Sequence, residues 1–578
     1  MEPLNQRIAA SFDEIADLLE LAGDNQFKIR AYRRAAEAVR SLDEPVAEVL
    51  RRDQSAVPGI GEALRSKIWE MELSGRMEYL ERLRAEIPAA IVVLTQIPGI
   101  GPKTARRLYE SLGIEDVASL LAAARAERVR EIPGFGAKTE ANIIKAIQSM
   151  QSDGGRKPLY MALPLAEQIV KELLEVNEVE HVDVGGSIRR RRDTIGDIDI
   201  IAAASDSGRL MDRFASLDVF CEITSMGHAR ASAITWSQIR CDLWVVQPES
   251  YWTGLHHVTG SKDHHVRLRG IAGKMGLLIN ERGVYRDSDG QAIAIDSEEA
   301  IYSLLGMSYI IPELREDRGE IEAALRGALP AIIDRHSIRG DLHTHTSWSD
   351  GGASIDDMAK AARAIGYDYF AITDHSRSLG VAHGLSTERI LRQIEEVREA
   401  NARTDGIRIL AGAEVDILKD GSLDFPDEIL ERLDVVVASI HSGFQQDRDT
   451  ITGRMVAAMR SPHVDILAHP TGRLLARRPG YEVDIDTVIR EAARTGTALE
   501  INSYPDRLDL RDEHARAARD AGVMISVSTD SHSPEELPNI EYGVWVARRA
   551  WLEPGNVVNA MGYDELIEWL HTHKASQS

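Results

Sequence analysis

The run 185–200 places two carboxylates where they can share metal ions. Its last residues predict a strand, and alternate side chains of a strand lie on the same face. Asp197 and Asp199 therefore face one way, while Ile198 and Ile200 face the core. Two carboxylates on one face can hold a pair of Mg²⁺ ions, so this run predicts a nucleotidyl-transfer site. The alternative interpretation is a solvated strand edge.

The later run 234–245 supplies a third carboxylate. Asp242 and Arg240 alternate with Ile239, Cys241 and Leu243, which we expect to be buried. Three carboxylates on adjacent strands can hold metal ions at the attacking and leaving oxygens of an in-line displacement at phosphorus. Small residues and cations just upstream of the first run would let backbone N–H and guanidinium groups approach a triphosphate: Gly185, Gly186, Ser187, Arg189 and Arg190.

Together these runs resemble the palm of the family X DNA polymerases, whose pattern is Gly-Ser, an aromatic or aliphatic residue, Arg-Arg and then Gly-Asp-X-Asp. The resemblance extends over roughly the first 315 residues. It implies that Asp197, Asp199 and Asp242 are catalytic ligands of Mg²⁺ or Mn²⁺. It also implies that the phosphates of a deoxynucleoside triphosphate are bound by Gly186, Ser187 and Arg190.

Length and composition limit the class of protein. A chain of 578 residues is too long to fold around a single hydrophobic core, so we expect several domains. Two cysteines make no disulfide framework, and no run approaches the ~18 apolar residues of a membrane span. We expect a cytoplasmic monomer without a membrane partner. The net charge of −24 restricts DNA binding to local patches and backbone amides, which would make it modest and salt-sensitive.

Three short repeats near the N-terminus share one pattern, Pro-Gly-X-Gly after an aliphatic residue. They begin at Val57, Ile97 and Ile132, and basic helical segments follow them. Proline ends one helix, and the next helix begins with free N–H groups that suit a phosphate. The repeats resemble helix-hairpin-helix motifs, although a single one is equally an ordinary turn. The candidate DNA contacts are Gly59, Gly61, Gly99, Gly101, Lys103, Gly134, Gly136 and Lys138.

Residues 1–80 are similar to the lyase domain of DNA polymerase beta. The matching segments are 27–36 and the first hairpin with its basic helix. The resemblance places Lys67 at the Schiff-base lysine of the family and Lys28 at a phosphate contact. Lys67 is either a nucleophile for a deoxyribose-phosphate aldehyde or an ordinary DNA contact. Ala63 stands where the family has a further lysine, which lowers the expected lyase activity.

From about residue 339 a different pattern begins, in which short apolar strands end in metal-ligating residues. Parallel strands joined by crossover helices bring such ends to one face of a barrel. Imidazole selects Mn, Zn or Fe over Mg, so two or three ions of these metals are expected. The segment resembles the PHP (polymerase and histidinol phosphatase) domain. The resemblance implies nine ligands: His343, His345, Asp350, His375, Glu414, His441, His469, Asp530 and His532.

The implied chemistry of this second site is hydrolysis of a phosphoester by a metal-bound hydroxide. Because the other half of the chain is expected to bind primer ends, we expect a DNA 3′ terminus as substrate. Asp350 has the most variable spacing among relatives, and Asp374 is expected to orient a neighbouring loop or ligand. Arg473 and His383 are candidate substrate contacts.

The chain departs from the family X pattern over 251–269. His257-Val258 stands where relatives carry Tyr-Phe, the aromatic pair that lies against the sugar and base of the nucleotide. Sugar selectivity is therefore in doubt. His265 replaces an asparagine that contacts the base. The candidate nucleotide and template contacts here are His257, Gly260, Lys262, His265 and Arg269.

We therefore expect a multidomain α+β chain. Its predicted parts are a lyase-like helical domain over 1–80, helix-hairpin-helix fingers over 81–150, a nucleotidyltransferase palm over 151–248, a nucleotide-selection thumb over 249–316, a linker over 317–338 and a PHP (β/α) barrel over 339–578. The expected function is repair synthesis on gapped or nicked double-stranded DNA, with 3′–5′ exonuclease or 3′-end processing by the PHP half. The alternatives are a phosphoesterase whose polymerase half recruits DNA ends, and a DNA-end-binding module without turnover.

Overall fold

The computed structural model of the chain describes residues 4–22, 25–40, 46–53, 57, 59–74, 77–86, 94, 97, 100–114, 116–152, 155–177 and 179–577. It divides into two compact units, Met1–Gly155 and Arg156–Ser578. No helix in the described ranges has the length and apolar character needed to cross a bilayer.

The first unit is helical. Its first helix carries Ile8, Phe12, Ile15 and Leu19 on one stripe, and each is at most 1% exposed because this spacing repeats one helical face. The ring of Phe12 lies edge-on to Tyr32, 5.7 Å between centroids. The described helices are Leu4–Ala22, Gln26–Arg40, Val46–Arg52, Glu62–Ser74, Glu78–Glu86, Pro102–Leu112, Val117–Arg125 and Ala137–Ser152.

The three predicted hairpins have the same turn. In each, the carbonyl of the aliphatic first residue accepts a hydrogen bond from the N–H three residues later: Ile60 to Val57, Ile100 to Ile97 and Phe135 to Ile132. The first glycine of the first and third hairpins has a φ near +80°, a conformation that favours glycine. A helix follows each turn, as the sequence pattern predicts.

The second unit begins with a five-stranded sheet whose spatial order is β2-β4-β7-β6-β5. A short pair, β1 (Lys157–Pro158) and β3 (Thr194–Ile195), lies beside it. The helices Leu159–Leu173 and Gly208–Ala215 pack on the apolar side of the sheet. Its strands are β2 (Val179–Val184), β4 (Asp197–Ala204), β5 (Phe220–Met226), β6 (Arg230–Thr235) and β7 (Arg240–Val246).

The next part combines helices with a small antiparallel sheet. Its helices are Tyr251–Thr259, Lys262–Lys274 and Glu298–Leu304, and its strands are β8 (Leu277–Asn280), β9 (Gly283–Arg286) and β10 (Ala292–Ile293). The segment expected to be a linker, 317–338, differs from that expectation. It contains the helix Glu320–Leu325, and Ile321 and Ala324 of this helix belong to the same apolar core as Leu268 and Tyr302. Buried apolar side chains therefore tie this segment to the part before it.

The last part is a seven-stranded parallel sheet in sequential order, β11 to β17. The first and last strands meet, because the N–H of Asp530 donates to the carbonyl of His343 (2.9 Å) and that of His345 donates to Ser531 (2.7 Å). These bonds make the sheet a nearly closed barrel. Its strands are β11 (Gly340–Thr344), β12 (Tyr369–Ile372), β13 (Arg408–Asp416), β14 (Val435–Ser439), β15 (Ile466–Leu467), β16 (Ala498–Asn502) and β17 (Ile525–Ser528).

Helices cover the outside of the barrel and bury its apolar strand residues. Crossover helices are the ordinary way to connect parallel neighbours. The described helices are Ile355–Ala364, Thr387–Arg403, Asp427–Leu430, Arg448–Met459, Ile485–Thr495, Asp512–Asp520, Ile540–Arg549 and Tyr563–Gln577.

Candidate active sites

The three acidic residues predicted for the first site lie together. Strand β4 runs parallel to β7 in a register that sets Asp199 opposite Asp242. The carboxylates of Asp197, Asp199 and Asp242 offer ligand atoms that all lie within 4.8 Å of one another. Ile198 and Cys241, their alternating neighbours, are fully buried. The period-two prediction thus holds on both strands.

Like charges dominate the electrostatics of this trio. Burial, followed by the repulsion of Asp197 and Asp242, raises the pKa of Asp199 to about 7. Asp242 is held in place by the hydroxyl of Ser232, which donates to it (2.5 Å), and by Nε of Arg240 (3.0 Å). The three carboxylates form a set of oxygen donors that fits divalent cations.

The Gly-Gly-Ser turn runs directly against these carboxylates. Gly186 has φ +57°, and a Cβ there would collide with the Asp199 carboxylate. The N–H of Gly185 donates to the backbone carbonyl of Asp199 (2.8 Å). The hydroxyl of Ser187 is buried and has no hydrogen-bond partner within the described part of the chain. An orphaned hydroxyl beside bare backbone fits a ligand with acceptor oxygens.

The two arginines expected at the phosphates are engaged by carboxylates. Arg189 forms an ion pair with Glu298 (2.6 Å) and donates to Thr259 (2.7 Å). Nε of Arg190 lies 3.1 Å from Glu316, and its guanidinium also donates to the carbonyl of Thr259. The Arg190 side chain is 13% exposed. Its role as a phosphate ligand stays a prediction, and the pair with Glu316 was not predicted.

The residues expected to select the nucleotide lie beside the same turn. Val258 contacts Gly185 so closely that a Cβ on the glycine would lie 2.7 Å from the Val258 methyl group. His257 Nδ1 lies 2.8 Å from the guanidinium of Arg269. His265 is 8% exposed, and burial followed by its histidine neighbours lowers its pKa to about 3. It is therefore neutral at physiological pH.

Two further candidates flank this group. Gly260 has φ +73°, and a Cβ there would lie 2.8 Å from a guanidinium nitrogen of Arg190. Lys262 is exposed at the start of its helix, as is Arg269 farther along. The base and template contacts of these residues stay predictions.

The second site gathers all nine residues predicted for it. Three overlapping groups each offer ligand atoms within 4.8 Å of one another. His469 completes the set, with Nε2 3.0 Å from Glu414. Glu414 also lies 2.7 Å from Nδ1 of His375, at the centre of the cluster. The groups are His345, Asp350, His375 and His532; His343, His345 and Asp530; and His375, Glu414 and His441.

The chemistry of this cluster fits metal ions. Several of its nitrogen atoms are buried without a hydrogen-bond partner in the described residues: Nε2 of His343, both ring nitrogens of His345 and Nδ1 of His469. Buried polar atoms are otherwise nearly always satisfied. Burial, followed by the neighbouring imidazoles, lowers the pKa of His345 to about 3. That histidine is neutral, as a metal ligand must be.

A second set of acids orients these histidines, and sequence reasoning missed most of it. Oε1 of Glu500 lies 2.7 Å from Nδ1 of His343, and Oδ1 of Asp416 lies 2.9 Å from Nδ1 of His441. The signal available in the sequence was an acid within the buried strands β16 and β13. Asp374, which was singled out, accepts hydrogen bonds from the N–H groups of Thr346 (2.8 Å) and Ser349 (3.2 Å), in the loop that leads to Asp350.

In the first unit, Lys67 lies in a cluster of cations around one aromatic ring. Its Nζ is 4.9 Å from the centroid of Tyr79, and Nζ of Lys28 is 5.2 Å from it. Burial lowers the pKa of Lys67, and the charges of Lys28 and Arg82 lower it further against the opposite effect of Glu70. A lowered pKa suits both a nucleophile and a crowded DNA contact, so both interpretations stay open.

The candidate DNA contacts of the hairpins are partly described. Gly59, Gly61, Gly101, Gly134, Gly136 and Lys138 are exposed at the turns and helix starts. Gly99 and the side chain of Lys103 lie outside the described part of the chain. His383, a candidate substrate contact, has φ +56°. Arg473, the other, forms an ion pair with Asp193 (2.9 Å) and donates to the carbonyl of Leu508.

Comparison with known proteins covers nearly the whole chain. Residues 254–316 match the DNA polymerase beta thumb family and residues 341–529 match the PHP domain family. A helix-hairpin-helix domain matches residues 3–77, and a SAM-like helix-hairpin-helix tandem matches 91–149. The chain is 40% identical over 560 residues to the DNA polymerase/3′-5′ exonuclease PolX of Bacillus subtilis, which covers 96% of this chain and 98% of that protein.

The chain belongs to the PolX family of DNA polymerases. Membership confirms the predicted resemblance and the multidomain fold with its helix-hairpin-helix, thumb and PHP parts. Shorter matches reach two phosphatases. The chain is 36% identical over 206 residues to a probable phosphatase of Acetivibrio thermocellus (34% of this chain, 80% of that protein). It is 31% identical over 231 residues to one of Thermoanaerobacter sp. (38% and 89%).

PolX membership and the two donor clusters together imply divalent metal ions as cofactors. DNA and deoxynucleoside triphosphates are the substrates that a polymerase with helix-hairpin-helix domains implies.

Proposed function

We propose that this protein fills short gaps in double-stranded DNA with its palm site and processes 3′ ends with its PHP site. The observation that carries the proposal is the presence of two complete and chemically different ligand clusters in one PolX chain. One offers three carboxylates and the other six histidines with three acids. A module that only recruits DNA needs neither.

In the palm, Asp197, Asp199 and Asp242 would hold two Mg²⁺ or Mn²⁺ ions. Bound ions supply stabilisation of the oxygens that attack and leave phosphorus. The Gly185–Ser187 backbone and the Ser187 hydroxyl bind the triphosphate, and Arg190 adds a charge. Asp242 keeps its position because Ser232 and Arg240 donate to it. These contacts fix one end of the carboxylate trio before the substrate arrives.

In the barrel, the nine clustered residues would hold two or three ions of Mn, Zn or Fe. Bound ions there activate water and polarise a phosphoester. The residues around them set the geometry: Glu500 orients His343, and Asp416 orients His441. A 3′ terminus delivered by the polymerase half is the substrate that this arrangement favours.

We assign the remaining parts by position. The hairpins bind the DNA backbone through their turns and helix starts, without reading sequence. Lys67 acts either as a Schiff-base nucleophile or as a DNA contact. The predicted domain boundaries other than those of the linker 317–338, the monomeric state and the cytoplasmic location belong to the proposal as well. The DNA substrate that we propose for the enzyme is a gapped or nicked duplex.

Primer extension on a one-nucleotide gap tests the proposal, first with Mg²⁺ and then with Mn²⁺. Asp197→Ala combined with Asp199→Ala should abolish nucleotide addition and leave 3′-end hydrolysis intact, since the two clusters are separate. Asp212→Ala, which removes an exposed palm acid outside the trio, is the matched control and should extend normally. Hydrolysis by the wild type without any extension would instead favour a phosphoesterase whose other half recruits DNA.

A further inference from the structure

The palm segment 190–196 joins the Gly-Gly-Ser turn to the ligand Asp197, and two arginines of the PHP half donate hydrogen bonds to it. One contact comes from Arg549, at the end of the helix Ile540–Arg549. The other comes from Arg473, four residues after the cluster member His469. Nothing in the sequence pattern links these positions, because Arg549 lies 359 residues from its palm partner and Arg473 lies 280 residues from its own.

Arg549 bridges the PHP half and the palm. Its Nη1 donates to the backbone carbonyl of Arg190 (2.7 Å) and to Glu316 (3.0 Å), and its Nη2 donates to Asp512 of the PHP half (2.8 Å). The side chain is 3% exposed. A buried guanidinium with all these bonds made is costly to displace, because each partner would be left unsatisfied.

Glu316 connects this bridge to the candidate phosphate ligand. The same carboxylate contacts Arg190 (3.1 Å), Arg192 (3.5 Å) and Arg549 (3.0 Å). Glu316 therefore shares its negative charge among three guanidinium groups. If Arg549 were absent, Glu316 would be free to neutralise Arg190 more completely.

A second anchor holds the middle of the segment. Arg473 forms an ion pair with Asp193 (2.9 Å), with the two side chains 14% and 21% exposed. Between the anchors, the guanidinium of Arg191 lies over the ring of Trp545, 4.1 Å from its centroid. Trp545 and Tyr542 of the PHP half also pack against the apolar core of the palm. Arg549, Arg473 and Trp545 of the PHP half thus all hold this segment.

We propose that Arg549 is a positioning residue for nucleotide addition: from the PHP half it holds the palm segment 190–196 and keeps Arg190 available to the triphosphate. The Asp193–Arg473 pair is the second anchor of the same segment. The inference rests on the proposed polymerase function. Its physical basis is that a displacement of about 1 Å at a substrate-positioning group can cost on the order of 100-fold in rate.

The test compares neighbouring arginines of one helix. Arg549→Gln should lower kcat/KM for addition to a one-nucleotide gap by about tenfold or more, mainly through KM for the nucleotide, because Arg190 is the group affected. Arg549→Lys should recover part of the loss, since a lysine retains the charge. Arg548→Gln is the matched control, because Arg548 pairs with Glu313 (2.7 Å) and not with the segment 190–196.

A second readout separates positioning from general stability. Arg549→Gln should leave hydrolysis of a small chromogenic phosphodiester, thymidine 5′-(p-nitrophenyl phosphate), within about twofold of wild type, and should speed amide hydrogen exchange in 190–196. Asp193→Asn, which weakens the second anchor, should produce the same selective change. If Arg549→Gln and Arg548→Gln lose nucleotide addition to the same extent, and each loses hydrolysis as much as addition, the role of Arg549 is merely structural and the inference is overturned.

The two proposals fail in distinguishable ways. Wild-type extension with unchanged KM and unchanged exchange in both Arg549→Gln and Asp193→Asn would overturn the positioning role alone. A wild-type protein that adds no nucleotide would overturn the proposed polymerase function and the positioning role with it.

Discussion

Oε1 of Glu500 lies 2.7 Å from Nδ1 of His343, and both side chains are buried inside the barrel. Its other oxygen accepts a hydrogen bond from the backbone N–H of His469 (2.8 Å). One carboxylate thus orients two members of the metal cluster that lie far apart in the sequence. A carboxylate on the distal nitrogen of a histidine fixes the ring and raises its basicity as a ligand.

Glu500→Gln should weaken metal binding and 3′-end hydrolysis by about 10- to 100-fold, because the amide loses the charge that supports His343 while keeping its shape. Nucleotide addition should not change. Manganese titration by calorimetry, together with a 3′–5′ exonuclease assay, measures both effects. Glu491→Gln alters a carboxylate of the same domain that pairs with Arg460 and Arg494 away from the cluster, and should have no effect on either. Equal metal affinity in the two variants would contradict this role of Glu500.

Removing a cluster member should have a larger effect than removing its support. His343→Ala or His469→Ala each takes an imidazole from the cluster and should abolish Mn²⁺-dependent 3′–5′ hydrolysis without affecting gap filling. The measurement is degradation of a labelled single strand next to primer extension by the same preparation. Unchanged degradation by purified His343→Ala would show that hydrolysis resides elsewhere.

The palm carboxylates predict a proton-linked metal affinity. Asp199 has a pKa of about 7 as a result of burial and the charges of Asp197 and Asp242, so the metal-free site binds a proton below pH 7. A divalent ion needs the ionised carboxylate and must displace that proton. Apparent Mg²⁺ affinity should therefore fall about tenfold between pH 8 and pH 6.

Calorimetry in two buffers of different ionisation enthalpy counts the protons released. The wild type should release close to one more proton than Asp199→Asn at pH 6, and the difference should vanish at pH 8. A difference that is independent of pH would contradict the raised pKa. The PHP cluster is present in both proteins, so its contribution cancels in the comparison.

The local sequence pattern was enough to predict the faces of strand β4 and the parallel barrel. Alternation alone placed Asp197 and Asp199 on one face of β4 and buried Ile198 and Ile200, because strand geometry has a fixed period of two. The strand spans Asp197–Ala204. The recurrence of strand and ligand along the C-terminal half likewise predicted a parallel barrel with its ligands at one end.

What the sequence did not reveal depends on contacts between distant residues. Glu500 lies 157 residues from His343, and Arg549 lies 359 residues from Arg190, so no local period connects them. The expected linker contains the buried Glu320, which pairs with His264 (2.7 Å), because its apolar neighbours complete an existing core.

The last prediction concerns the pair His257 and Val258, which stands where relatives carry Tyr and Phe. Val258 packs against Gly185, at the start of the turn proposed to bind the triphosphate. His257, which stands where relatives carry a tyrosine, pairs with Arg269 (2.8 Å). A valine covers less of a sugar than a phenylalanine, so a 2′-hydroxyl should meet less resistance and ribonucleotides should be accepted unusually well.

A packed contact of ~1–3 kcal/mol corresponds to roughly 10- to 200-fold in relative efficiency. His257→Tyr combined with Val258→Phe should therefore raise the ratio of kcat/KM for a deoxynucleotide over its ribonucleotide by that factor on a one-nucleotide gap. His228→Tyr, an exposed histidine of the palm outside the site, controls for the added phenol. If the wild type already rejects ribonucleotides by several thousand-fold, and the double variant leaves the ratio unchanged, the backbone of the turn carries the selectivity and these two side chains do not.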